Sequence, residues 1–519
     1  MMFVRRKPNK SGSVSVQVVQ KTKDRRQVVI KTIGSASDES EIARLETSAR
    51  EYIHAKEGPS LPNLIDEVSA LEAVIGRISN AQVQVIGPEL VFGALYDRIG
   101  YGSLGDEMFR HLVICRLFNP GSKLKTADYL ERYLHKTYSV DQIYYFLDNL
   151  CHGNGRKTRK SGDTKTKVEE VIFRHTRKVV GGEISICFYD MTTLFFEAAE
   201  EDDLRRCGFS KDGKHSCPQI FLGLLVASGG NPIGYDIFEG NISEGGTLIP
   251  MVEQLARRFG FEHPVVVADA GLLSKRNIAA LEAGGFLYIL GARPKSESAA
   301  VKSRILGMGL AYGDIAETES STGRGLILSR TEKRARKDAR NREKGLARLQ
   351  KKVRTGQLTK QHINNRGYNK YLRLEGDMKV SIDIDRFEAD AAWDGIKGYI
   401  TNTDLAPKEI IASYGNLWYI ERAFRFNKFD LAVRPIYHRL RNRIEGHICI
   451  CFTAYTILLE MERLLKSAKS RLTVNRAQEL VKTMYAISYT SPHSKQKKQA
   501  ILKMDVDQQE LYRLVTGCQ

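Results

Sequence analysis

Asp190 closes the apolar run ISICFY, Asp269 closes PVVVA, and Glu421 lies within YGNLWYIERAFRFNK, from Tyr414 to Lys428. A carboxylate at the end of a buried strand is costly without an ion or a counter-charge, so both aspartates call for a partner. Mg²⁺ takes carboxylate oxygens and keeps several of its waters. Two such ions ~3.5–4 Å apart can activate an attacking oxygen and neutralise a leaving one during phosphodiester cleavage. Asp190, Asp269 and Glu421 are therefore candidates to hold two Mg²⁺ or Mn²⁺ ions. Tyr414, Glu421 and Lys428 follow one another at seven-residue intervals, nearly two helical turns with a drift of ~20°. On a helix starting near Pro407, one face would carry a phenol, a carboxylate and an ammonium, with Trp418 and Arg425 beside them.

The elements around these residues have the pattern of an α/β layer. ISICFY, Gln219 to Ala227, Pro232 to Phe238, PVVVA and FLYILGA read as five strands, the second and third joined by the turn Ser228-Gly229-Gly230-Asn231. Helices are expected from about Thr247 to Phe259 and from Ser274 to Ala283, giving a mixed five-stranded sheet with flanking helices. Both aspartates then fall at strand carboxyl ends, where such sheets place their sites. Asp269 and Glu421 are 152 positions apart, too far for a compact core, so an inserted domain is expected at 296–395. Within it KRARKDARNREKGLARLQKKVR carries eleven Lys or Arg. As a helix opened by Lys333, Arg334, Arg336 and Lys337, it suits phosphate contacts. The core would accordingly comprise 168–295 and 396–466, with a tail at 467–519.

Upstream, the runs from Val14 and Gln27 suggest a β-hairpin region at 1–38. Residues 39–151 show helical spacing, including Leu64–Ile78, Pro88–Ile99, Met108–Leu117, Leu124–Tyr133 and Ser139–Leu150, and allow a helix-turn-helix DNA-binding region. HGNGRKTRKSGDTKTK, residues 152–167, reads as a basic linker. The net charge of +19 over 519 residues points to a polyanion, nucleic acid first. No apolar run spans a bilayer and no signal peptide is evident, so a cytoplasmic protein without membrane contact is expected. Eight cysteines are too sparse for a disulfide framework. Cys207, His215 and Cys217 lack a fourth zinc ligand at a familiar spacing; Cys449 and Cys451 read as buried thiols. Core packing is expected of Trp393 and Trp418, and His438 and His447 read as packing residues.

FYDMTT, VVVADAGLLSKRNI and YGNLWYIERAFRFNK, in that order, resemble the three motifs of bacterial insertion-sequence DDE transposases. The branch is the one with a Tyr-x2-Arg-x3-Glu-x6-Lys signature and an RNase H-like core. The similarity spans most of 185–460 and includes GFSKDGKHSCPQIFLGLLV, GYDIFEGNISEGGTL and RPIYHRLRNRIEGH. One position departs: Leu417 stands where the signature has Arg, and Arg425 is the candidate to supply the missing charge. The resemblance implies Asp190, Asp269 and Glu421 as catalytic metal ligands, with Tyr414 and Lys428 on the DNA backbone. It implies cleavage at the element's terminal inverted repeats, then attack of the freed 3′-hydroxyl on target DNA. A homodimer on double-stranded DNA, in the bacterial cytoplasm with the nucleoid, follows from the same source. A metal-dependent nuclease without strand transfer, or a non-catalytic transposase-derived DNA-binding protein, is the alternative.

Overall fold

The computed structural model describes residues 2–22, 26–57, 76, 78–151, 164–197, 200–208, 216–260, 264–355, 363–364, 367–375, 379–425, 431, 436–490 and 496–517. They form two compact units: residues up to Gln84 together with Tyr485–Leu502, and Val85–Met484 together with the segment from Lys503 onward.

In the first unit, strands β1 (Met2–Pro8), β2 (Val14–Lys21) and β3 (Gln27–Ala36) pair antiparallel in that order. Helix α1 (Glu39–Glu57) sets Ile42 and Ala49 against Val16 and Val18 of β2. The expected hairpin thus gains a third strand. Most of the helix expected over Leu64–Ile78 lies outside the described residues.

The second unit opens with a helical layer: α2 (Ala94–Ile99), α3 (Glu107–Phe118), α4 (Lys123–Leu134), α5 (Val140–Leu150) and α6 (Thr164–Val180). Ser122 and Ser139 cap α4 and α5 through their hydroxyls, as Ser residues at these positions should. The central sheet follows. Its strands, numbered on from β3, are β4 (Ile186–Phe195), β5 (Gln219–Ala227), β6 (Pro232–Glu239), β7 (Val265–Ala268) and β8 (Leu287–Ala292). β4, β5 and β6 form an antiparallel meander, and β7 then β8 add parallel on the other side of β4. The spatial order β6-β5-β4-β7-β8 is the RNase H-like arrangement.

The sheet has eight strands rather than the five expected. β9 (Ile315–Glu319) and β10 (Gly325–Arg330) come from the interval assigned to the insertion, and β11 (Ile396–Thr401) joins them to the edge of β8. Ile327, Leu328 and Ile400 are buried, so this extension covers an otherwise open edge. The basic segment forms the helix Glu332–Arg354, here α7.

Past the sheet come α8 (Pro407–Gly415), α9 (Trp418–Arg425) and α10 (Arg441–Ser467). From Ile444 to Met461 α10 is buried on nearly every face, Cys449 and Cys451 included, so it needs cover beyond the sheet. α3, α5 and the short turn Tyr101–Leu104 supply it: Arg116 of α3 meets His447 at 2.9 Å, Gly446 lies against the Leu147 backbone, Arg443 pairs with Asp148 at 2.7 Å, and the Tyr101 hydroxyl meets Thr456 at 2.9 Å. The helices at 94–150 therefore share one core with the sheet, although the sequence suggests a boundary at 152–167; residues 152–163 lie outside the described ones.

Candidate active site

β4 and β7 run parallel with Tyr189 opposite Ala268. Asp190 and Asp269 are the next residue on each, which sets the two carboxylates side by side at the point where the parallel pairing stops. Asp190 is not at a strand end as the sequence suggested. β4 continues through Met191-Thr192-Thr193 to Phe195, paired with β5, because Thr and the apolar residues after Asp190 suit a strand. Asp190 Oδ1 accepts from the Met191 amide at 2.7 Å. Asp269 Oδ1 accepts from the Ala270 amide at 2.7 Å and from the Tyr414 hydroxyl at 2.9 Å.

The stretch from Tyr414 to Arg425 is not one helix. α8 ends at Gly415, Asn416 caps it, and α9 restarts at Trp418. The amides of Asn416, Leu417, Tyr419 and Ile420 bond three residues back, a tight step that Gly415 and Asn416 favour over a continuous helix. The step turns Tyr414 toward Asp269 and leaves Glu421 on α9, whose Ile420, Ala423 and Phe424 are buried. Glu421 is exposed, and among the described residues its carboxylate makes no hydrogen bond or ion pair. Lys428 lies outside the described residues.

Asp190, Asp269 and Glu421 line one cavity of about 410 Å³, together with Tyr414, Trp418, Arg334 and Lys397. Among the described residues no three His, Cys, Asp or Glu side chains are close enough to form a ready-made metal cage. The three carboxylates line one shared space. Their donor chemistry fits Mg²⁺ or Mn²⁺, which take carboxylate and water oxygens. Tyr414 is buried to 6 % exposure, and burial together with the Asp269 charge raises its hydroxyl above the usual range, so it stays a donor. Gly291 on β8 makes room for it: a Cβ there would lie 2.4 Å from the Tyr414 oxygen and 2.9 Å from the Ala270 nitrogen.

The cavity's positive charge comes from residues that the sequence weighed differently. Arg425, four residues after Glu421, is exposed and is not part of the lining. Arg334 of α7 is, whereas Lys333, Arg336 and Lys337 are exposed outside it and Arg336 pairs with Glu332 at 2.5 Å. Lys397 was missed. It sits on β11 with its ammonium 4.1 Å from the Tyr414 ring centre, and burial lowers its pKa. Its signal in the sequence is a lone cation inside the strand IKGYIT. Trp418 was expected in the core; at 47 % exposure it instead opens onto the cavity, while Trp393 does pack against core residues. His447 is buried against Arg116, and burial pushes His438 down to about 3, consistent with packing roles. Of the Cys207, His215, Cys217 trio, His215 lies outside the described residues.

The profile of the Transposase DDE domain family matches residues 185–457, more than half of the chain. The chain belongs to the DDE transposase family. The matched span contains Asp190, Asp269 and Glu421. Two solved transposase structures are similar to this transposase at low scores. One is a piggyBac transposase synaptic complex with hairpin DNA, at TM-score 0.38 and 10 % identity, covering 76 % of each chain. The other is a Mos1 transposase paired-end complex with its left transposon end, at TM-score 0.16 and 14 % identity, covering 35 % of this chain and 58 % of that one. No curated protein matches the chain.

Proposed function

We propose that this transposase cuts double-stranded DNA at the terminal inverted repeats of an insertion sequence and joins the freed 3′-hydroxyl to target DNA. The observation that carries the reading is the convergence of Asp190, Asp269 and Glu421, from three separate elements, on one cavity whose cations are Arg334 and Lys397. Asp190, Asp269 and Glu421 would hold two Mg²⁺ or Mn²⁺ ions, which supply charge neutralisation for the attacking and leaving oxygens of a phosphodiester. The chain's own groups then have separable tasks. Tyr414 fixes the orientation of Asp269 by donating to Oδ1. Lys397 and Arg334 offer positive charge to the phosphate, and the indole of Trp418 offers a face on which a base beside the cut can stack. Lys333, Arg336 and Lys337, exposed on α7, extend the backbone contact away from the cavity. By family resemblance the acting species is a homodimer on the bacterial nucleoid; no helix among the described residues is long and apolar enough to cross a membrane.

The test is incubation of the purified protein with its flanking genomic DNA and Mg²⁺, followed by mapping of broken and joined strands. Cleavage at the element ends with transfer of pre-cut ends is expected. Cleavage without joined product would leave a nuclease, and duplex binding without cleavage would leave a DNA-binding protein only.

A further inference from the structure

A local departure from charge balance outside the cavity lies where α3 hands over to α4. Arg116, in the last turn of α3, is only 8 % exposed. Its Nη2 lies 2.9 Å from Nε2 of His447, and it forms no ion pair with a carboxylate among the described residues. Lys123, the first residue of α4, lines the same small cavity, with Asn119 and Thr126 at its polar wall and Leu112 and Ile450 beneath. Among the described residues no acidic side chain is in that lining. The carboxylate whose charge reaches His438 is Asp148, and it is already bidentate to Arg443 at 2.7 and 2.9 Å. Burial and the charge of Arg116 bring Lys123 down to about 8, and the same two cations contribute to the lowering of His438. A buried and a half-buried cation facing one hollow, with no carboxylate beside them among the described residues, are unfavourable unless an anion completes them. The first-turn amides of α4 point the same way: Ser122 satisfies those of Lys125 and Thr126, while those of Lys123 and Leu124 have no partner within the helix.

We propose that this hollow is a second phosphate-contact site, in which Arg116, Lys123 and the α4 amides take one non-bridging oxygen of a nucleic-acid backbone. Its size selects the ligand. The hollow is partly open to solvent and its accessible space is about 10 Å³, room for about one water-sized oxygen, so a larger group must be presented from outside by a backbone that lies over the surface. Lys125, exposed next to the hollow, would meet the same strand. The site goes beyond the cavity chemistry and rests only on the chain's binding DNA.

Fluorescence anisotropy with a duplex of arbitrary sequence, in EDTA across a salt series, tests it without cleavage, so a failure of the catalytic reading leaves the result intact. Lys123→Gln is expected to reduce the slope of log affinity against log salt by about 0.9 and to weaken binding roughly tenfold near 0.1 M salt. Lys123→Arg should restore most of both. Circular dichroism and thermal melting of each variant establish that it is folded. An unchanged slope in folded Lys123→Gln overturns the site. So does a melting temperature that phosphate or chloride raises in the wild type but not in Lys123→Gln, if the variant binds duplex normally, because the hollow is then an inorganic-anion site only.

Discussion

Two groups of acidic residues in the same unit are treated in opposite ways. Glu169 and Glu460 are 1 % and 3 % exposed, and both are saturated with partners. Glu169 pairs with Arg258 and accepts from the Tyr235 amide at 3.3 Å; Glu460 binds Arg463 at 2.6 Å and His175 at 3.2 Å. At the cavity, Asp269 has a phenol and an adjacent amide, and Glu421 has no partner among the described residues. Glu stands in both groups, but the first completes a core and the second lines an open cavity. On the proposed function, the extent of partnering is what separates a core carboxylate such as Glu169 from a cavity carboxylate such as Glu421.

The contrast breaks most visibly at Glu421. Glu421→Gln should cost at least about a thousandfold in cleavage rate, ~4 kcal/mol of barrier, while duplex affinity and melting temperature hold. If cleavage persists, Glu421 leaves the site and its lack of partners means nothing. Glu169→Ala should do the reverse. It strands Arg258 and deprives Lys165 of a neighbouring charge, so about 3 kcal/mol of stability should be lost in denaturant titration. Equal stability losses at the two glutamates would erase the distinction.

Glu460 sharpens the same contrast through pH. Burial alone would raise its carboxyl, but Arg463 and His175 outweigh burial and hold it at about 2. Its folded value is thus below that of the unfolded chain, near 4.3. The stabilisation is fully present above that value and is lost as pH falls toward 2. Acid titration of unfolding should show a component on the order of 2 kcal/mol across this window that Glu460→Gln removes. Gly291→Ala probes the cavity's packing in place of its charge. The added methyl collides with the Tyr414 oxygen and the Ala270 nitrogen, so about 1–2 kcal/mol of destabilisation and slower cleavage are expected. Adding Tyr414→Phe should recover part of the stability but not the activity, and full additivity would show that the two residues do not compete for that space.

The five inner strands and the approach of Asp190 and Asp269 to one cavity were legible because each follows a local rule: apolar runs of strand length, each aspartate placed after one. What was not legible depended on pairing between distant segments. β9 and β10 fall in the interval expected to be an insertion, and nothing local says that they, or β11 from the part of the core expected at 396–466, continue the sheet beyond β8. The step at Gly415-Asn416 was hidden by a seven-residue spacing that fits a continuous helix equally well. Lys397 was invisible for the same reason as the three added strands, since it reaches the cavity only through the pairing of β11 with β8. Arg334 was read as one of many exposed cations on α7, and only the placement of that helix separates it from Lys333, Arg336 and Lys337.

Glu332 supplies the third case the comparison needs, a carboxylate that is partnered but exposed. It pairs with Arg336 one turn along α7, with 76 % of the arginine side chain and 56 % of the glutamate side chain open to solvent. Water screens such a pair and the two long side chains lose freedom to make it, so Glu332→Gln should cost under about 0.5 kcal/mol. Part of even that belongs to the loss of an acid from the first helical turn. Because the substitution also removes a negative charge from a basic helix, duplex affinity should rise slightly at low salt, and the gain should fade as salt screens it. Thermal melting and anisotropy on the same sample check both. If stability instead falls as far as in Glu169→Ala, partnering counts regardless of burial, and the rule drawn from Glu169 and Glu460 must be rewritten in terms of partners alone.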